Sequence, residues 1–228
     1  MDQNKLALQL KELFEIQDAT NEKAVPKWRE QSLPWDHAIL VETGEFIDHM
    51  GYKWWSKQEP NIKQAQMELI DILHFLLSLT MDNNYPTDLT TDAGTQVIAG
   101  TIFEFVTETT PYSGDKQDNY FARSSALSLN KVLYSGDLVN AWYYWSDMCL
   151  QVGLGWAEIY AKFIGKAALN RFRWENGYGS TYQKIWNGRE DNEYLTELVE
   201  ATLANNVEPS IELFTSQLSD LYRQIHVQ

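Results

Sequence analysis

The chain contains a single cysteine, Cys149, among 228 residues. One cysteine cannot close an intrachain disulfide or build a multi-cysteine zinc site, and it fits a reducing compartment. The four histidines form no H-E-x-x-H pair, so a zinc-protease helix is excluded. Basic residues are few: 18 Lys and Arg stand against 32 Asp and Glu, a formal charge of −14. That sign opposes binding to a phosphate backbone, so direct nucleic-acid binding is not expected. No apolar run approaches the roughly 18 residues of a membrane span. The opening Met1-Asp2-Gln3-Asn4-Lys5 also lacks a basic segment followed by an apolar core. A soluble cytoplasmic protein without membrane contact is expected, in the host cytoplasm if the source is viral. Disorder is excluded as well, because 44% of the residues are hydrophobic, nine Trp, twelve Tyr and nine Phe among them.

What is present is helical periodicity. Leu6, Leu10, Leu13 and Phe14 recur at spacings of three and four, predicting a first helix to about residue 20. Ser32-Leu33-Pro34 predicts the start of a second, with the serine hydroxyl as cap, running to about Gly51 along Trp35, Ile39, Phe46, Ile47 and Met50. Asn61, with Gln64 three residues on, predicts a third to about Met81. After a loop from Asp82 to Gly94, further helices are expected at about Thr95 to Thr107, Tyr120 to Tyr134, Asp137 to Val152 and Trp156 to Arg173. Trp174 to Asp191 reads as an ordered loop, and helices near Asn192 to Leu203 and Pro209 to His226 close the chain. No strand alternation stands out. The expected class is therefore all-α, a bundle-like single domain over residues 1 to 228, with about 85 to 155 as a variable segment.

Glu42-Thr43-Gly44-Glu45 sets two carboxylates one helical turn apart, and Glu68-Leu69-Ile70-Asp71 repeats the spacing on the next helix. Both pairs are embedded in apolar stripes. Four carboxylates so placed repel unless cations neutralise them, and an all-oxygen ligand set favours Mg²⁺ or Mn²⁺ over zinc. Magnesium held this way keeps positions for water and substrate phosphates, which points to phosphoryl or pyrophosphoryl chemistry. Pairs at i, i+3 also occur on ordinary solvated helix faces, which is the plain alternative. Gly44 inside a helix costs about 1 kcal/mol relative to Ala, so it suggests close packing or close ligand approach. The row Trp142, Tyr143, Tyr144, Trp145 reads as helix packing or dimer interface, and Cys149 as a buried small apolar residue.

The segments E-T-G-E-F-I-D (Glu42 to Asp48), Y-K-W-W (Tyr52 to Trp55) and E-L-I-D-I-L-H-F (Glu68 to Phe75) together resemble the dimeric dUTPases of the all-α nucleoside triphosphate pyrophosphatase superfamily. More diagnostic are G-K-A-A-L-N-R-F-R-W-E-N-G-Y (Gly165 to Tyr178) and Y-Q-K-I-W-N-G-R-E-D-N (Tyr182 to Asn192). The resemblance covers roughly residues 10 to 80 and 155 to 195. It implies a homodimer that hydrolyses dUTP to dUMP and pyrophosphate, and dUDP as well, by metal-activated water attacking the β-phosphorus. Glu42, Glu45, Glu68 and Asp71 would bind Mg²⁺, with Glu45 orienting or deprotonating the water. Gln17 and Asn21 match residues that approach the uracil, His74 the histidine after the second acidic pair, either a ligand contact or a satisfied core histidine, and Lys53 and Trp55 the loop after the first acidic pair. Lys166, Arg173, Tyr178 and Lys184 match residues near the phosphates, and Asn170, on one helix side with Lys166 and Arg173, would offer hydrogen bonds to the sugar or base. Two departures, Tyr52 in place of a common tryptophan and a loop between Tyr178 and Tyr182 one residue short of some members, bear on the base pocket. A dCTPase-dUTPase or broader dNTP pyrophosphatase stays open as an enzymatic alternative. Of another class is a catalytically idle regulatory dimer that binds a protein partner, for which the segment at about 85 to 155 offers the surface to examine.

Overall fold

The computed structural model describes residues 1–82, 89–114 and 116–226. Residues 83–88 of the loop expected from Asp82 to Gly94 lie outside those described. Among the described residues there are nine α-helices and one minimal hairpin, in two compact units, Met1–Trp156 and Ala157–Gln228. The all-α class is borne out.

In the first unit, α1 (Gln3–Ala24) is capped by Asp2, whose carboxylate accepts from Lys5 N at 2.8 Å. Its buried face is Leu6, Ala7, Leu10, Leu13 and Phe14, ending in the polar pair Gln17 and Asn21. After a 3₁₀ turn at Trp28–Glu30, α2 (Trp35–His49) begins one residue past Pro34. The expected Ser32 cap does not form: Pro34 itself is the cap residue, without a side-chain bond, and Trp35 N turns back to Leu33 O at 2.9 Å. Asn61 does cap α3 (Ile62–Thr80), accepting from Gln64 N at 3.3 Å.

α3 is the axis of this unit. From Met67 to Thr80 every residue is buried except Asp71 and Phe75, which are half-buried, and a helix apolar nearly all round belongs inside a core. α1, α2 and α6 (Leu138–Gln151) all pack on it. α6 contributes two fully buried indoles: Trp145 Nε1 donates to Leu69 O at 2.9 Å and Trp142 Nε1 to Thr80 Oγ1 at 3.2 Å. Half of the aromatic row is thus core, as the packing reading expected. α4 (Asp92–Thr107) starts three residues earlier than Thr95, because the Thr91 hydroxyl caps Gly94 N at 3.1 Å. α5 (Lys116–Tyr134) likewise starts ahead of Tyr120. Cys149 is fully buried, and burial pushes its thiol well up from its ordinary value.

The second unit consists of α7 (Trp156–Glu175), which begins at the last residue of the first unit, then α8 (Asp191–Ala204) and α9 (Ile211–His226). Between α7 and α8 the expected loop contains a hairpin, with β1 (Ile185–Trp186) antiparallel to β2 (Arg189–Glu190). Asn187 and Gly188 supply its two-residue turn, both left-handed, at φ 48° and 81°. The hairpin folds Trp186 onto Phe172 of α7, Tyr194 of α8 and Tyr222 of α9 at ring separations of 5.9, 5.7 and 5.2 Å. Gly165 allows α7 and α8 to approach, since a Cβ there would lie 2.9 Å from Leu195 Cδ1.

Candidate active site

Packing α2 against α3 brings three of the four expected carboxylates together. Oxygens of Glu42, Glu68 and Asp71 lie within 4.8 Å of one another, with Glu68 buried and the other two half-buried. Glu45 is exposed and is not in this group. The i,i+3 offset is about 60° in both pairs, so it is the rotation of α2 against α3 that leaves Glu45 on the solvent side while Glu68 and Asp71 both join the group. His49, two turns after Glu42, places Nε2 3.3 Å from Glu68 Oε1; the heptad spacing from Glu42 was its sequence signal, missed because the histidine stands outside the acidic pairs. Like charges this close favour a cation, and three carboxylates without sulfur suit an oxygen-preferring divalent ion. Gly44 differs from expectation: a Cβ there meets nothing within 4 Å, so packing within the chain does not demand glycine.

Gln17 and Asn21, one turn apart at the end of α1, face His74 and Ser78, one turn apart on α3. All four are buried. His74 Nδ1 is 2.6 Å from Gln17 Oε1, and Gln17 Nε2 donates to Asn21 Oδ1 at 2.8 Å and to Ser78 Oγ at 3.0 Å. Asn21 Nδ2 donates to the same hydroxyl at 2.9 Å, and that hydroxyl donates to His74 O at 2.8 Å. Gln17, Asn21 and His74, all expected at the substrate site, therefore form one network, and Ser78 is the member that sequence reasoning missed.

The loop after α2 is tied down at its start. Lys53 Nζ is 2.5 Å from Asp48 Oδ1, and Gln58 Nε2 donates to Asp48 O at 2.7 Å. The bonds from Lys53 and Gln58 hold the Asp48 carboxyl below its ordinary value. Lys53 is thus ion-paired to the last turn of α2, while Trp55 stands 60% exposed, edge-on to Tyr52 and Trp54.

In the second unit Arg173 joins the remaining expected residues. Its Nε and Nη2 donate to the two oxygens of Asp191 at 2.8 and 2.6 Å, with Asp191 fully buried and Arg173 nearly so. Tyr182 donates its phenolic hydrogen to Asp191 Oδ2 at 2.7 Å. Burial opposes the Arg173 charge, but Asp191 outweighs it and holds the guanidinium above its ordinary value; burial, then Asp191, drives the Tyr182 phenol strongly upward. Arg173 Nη1 reaches Asn170 Oδ1 at 3.4 Å, and Asn192 Oδ1 accepts from Lys166 Nζ at 3.2 Å and from Arg173 at 3.4 Å. The Tyr178 ring lies 5.9 Å from Arg173 and 5.6 Å from Lys184. Lys166, Asn170, Arg173, Tyr178 and Lys184 thus form one cluster, which also contains Tyr182, Asp191 and Asn192. The E-D-N run opening α8 was the available signal for the last two.

A family model described as dUTPase matches residues 9–178. It spans the middle segment that motif comparison left uncovered, takes in both acidic pairs and the α7 residues, and stops short of Tyr182. No curated protein shows a significant match to the chain. Among the described residues no helix is long and apolar enough to cross a membrane.

Proposed function

The chain belongs to the dimeric, all-α dUTPase family, and from that premise we propose that its dUTP hydrolysis is Mg²⁺-dependent, yields dUMP and pyrophosphate, and extends to dUDP. The observation that carries this reading is the gathering of Glu42, Glu68 and Asp71 from two helices onto one point. These three would hold the ion. When bound, it supplies charge neutralisation for the phosphates and lowers the pKa of a coordinated water. Glu45, solvent-facing one turn along α2, is assigned to orient the attacking water and accept its proton. No covalent nucleophile is needed, because phosphoryl transfer relies on positioning and charge stabilisation.

Gln17, Asn21 and His74 are assigned to the base, their side-chain amides offering both donors and acceptors. Lys53 and Trp55 are assigned to the substrate from the loop after α2, Lys166, Arg173, Tyr178 and Lys184 to its phosphates, and Asn170 to its sugar or base. The active species is assigned as a homodimer, and the cytoplasm as its compartment, the second resting on the single buried thiol.

The test is release of pyrophosphate and phosphate from dUTP, dUDP, dCTP, dTTP and UTP, with and without chelator. Chelator-sensitive cleavage of dUTP and dUDP, with dTTP and UTP poor, is the expected result. Equal turnover of dCTP would move the chain to the broader pyrophosphatases, and metal-independent turnover would overturn the assignment of the carboxylates.

A further inference from the structure

We propose that Ser78 is a positioning residue that sets the choice of uracil over cytosine, by forbidding rotation of the Asn21 and Gln17 amides. The proposal rests on the dUTP-cleaving reading and on the closed network between α1 and α3. The Ser78 hydroxyl lies 2.8 Å from the His74 carbonyl, which can only accept. Its one proton is committed there, so anything else facing Oγ must donate. Both amide groups within 3.0 Å of it, those of Gln17 and Asn21, must therefore present NH₂. Gln17 then turns its oxygen to His74 Nδ1, which has to carry a proton. The orientation of two amides and the tautomer of one imidazole follow from a single hydroxyl.

The consequence concerns the base. After these bonds Asn21 retains one amide hydrogen and one oxygen lone pair. In this orientation they match uracil, which offers a donor at N3 beside an acceptor at O4. Cytosine offers an acceptor at N3 beside a donor at N4, and would be matched equally well by the same amide rotated through 180°. Rotation would set Asn21 Nδ2 against the Gln17 amide nitrogen, and Oδ1 against a hydroxyl that can meet it only by giving up its bond to His74 O. Buried polar groups left facing like partners are strongly disfavoured. Without Ser78 the whole relay can reverse: both amides turn, and His74 shifts to its Nε2-protonated form.

Ser78→Ala is close to isosteric, and the readout is a ratio that general destabilisation does not move. Calorimetry of dUMP and dCMP binding, together with kcat/KM for dUTP and dCTP, is expected to lose selectivity by roughly tenfold or more, chiefly through improved cytosine binding. Ser78→Thr, which keeps the hydroxyl, is expected to restore it. A folded Ser78→Ala protein with unchanged selectivity overturns the proposal. Should that variant fail to fold, nitrogen NMR of the wild-type His74 ring decides: protonation at Nδ1 is expected, and a bare Nδ1 overturns the proposal. A wild-type protein that leaves dUTP intact would sink the hydrolase reading alone, since monophosphate binding and the tautomer are measured without turnover.

Discussion

The acidic face of α2 and α3 and the Arg173 cluster beside α8 handle buried charge in opposite ways. In the first, three carboxylates of one sign converge within 4.8 Å. In the second, a guanidinium and a carboxylate meet in two parallel bonds, with a phenol on the spare lone pair. The first arrangement suits a divalent cation, whereas the second pairs opposite charges within the chain. A group that meets a ligand and a group that prepares others to do so can therefore carry equally unusual charge environments. Arg173 shows why motif position alone does not separate them: the resemblance placed it at the phosphates, and the fold also makes it the partner of a buried aspartate.

Glu68→Gln provides the largest expected effect. It should lower kcat by on the order of 10² to 10³, as loss of one preorganised electrostatic group does. Mg²⁺ is expected to raise the Tm of the wild type by binding the folded state, and to leave that of Glu68→Gln unchanged. Retention of that rise would show that the ion is held elsewhere. Next comes Arg173→Ala, which strands Asp191 without its cation at full burial and should destabilise by about 3 to 5 kcal/mol in urea titration. A cost under about 1 kcal/mol would mean that the pair is not the opposite-charge unit described above.

Tyr182→Phe removes one bond to a charged group and should cost about 1.5 to 3 kcal/mol. Its pH signature has a definite sign. The folded-state value of the phenol is raised by burial and by Asp191, so the unfolded chain ionises first. The contribution is fully present below the ordinary tyrosine range and is lost as pH rises through it toward the raised value. Alkaline unfolding curves of the wild type and Tyr182→Phe should converge there, and parallel curves would contradict the assignment. The smallest effect is expected at Gly44, where a Cβ meets open space inside α2. Gly44→Ala should stabilise by up to about 1 kcal/mol; if it stabilises but slows turnover, substrate or a second subunit uses that space.

Much of this molecule was legible because its signals are local. The helix starts capped by Asn61 and Asp137 each need only a side chain and the N–H three residues on. The Asn187-Gly188 turn is equally local, but its two-residue strands leave no alternation around the signal to mark a hairpin. Ser32 does not cap because α2 starts later than the serine requires: Pro34, two residues on, is the cap residue.

The sequence by itself determined the all-α class, most helix boundaries, and the placing of Glu42, Glu68 and Asp71 on two successive helices, because helical periodicity links residues three or four apart. Only the tertiary structure decided which carboxylates converge, that Glu45 faces solvent, that His49 reaches Glu68, and that Ser78 closes a network between residues 57 and 61 positions apart. Those outcomes depend on the rotation of one helix against its neighbour. That rotation is set by packing across the whole apolar face rather than by any motif.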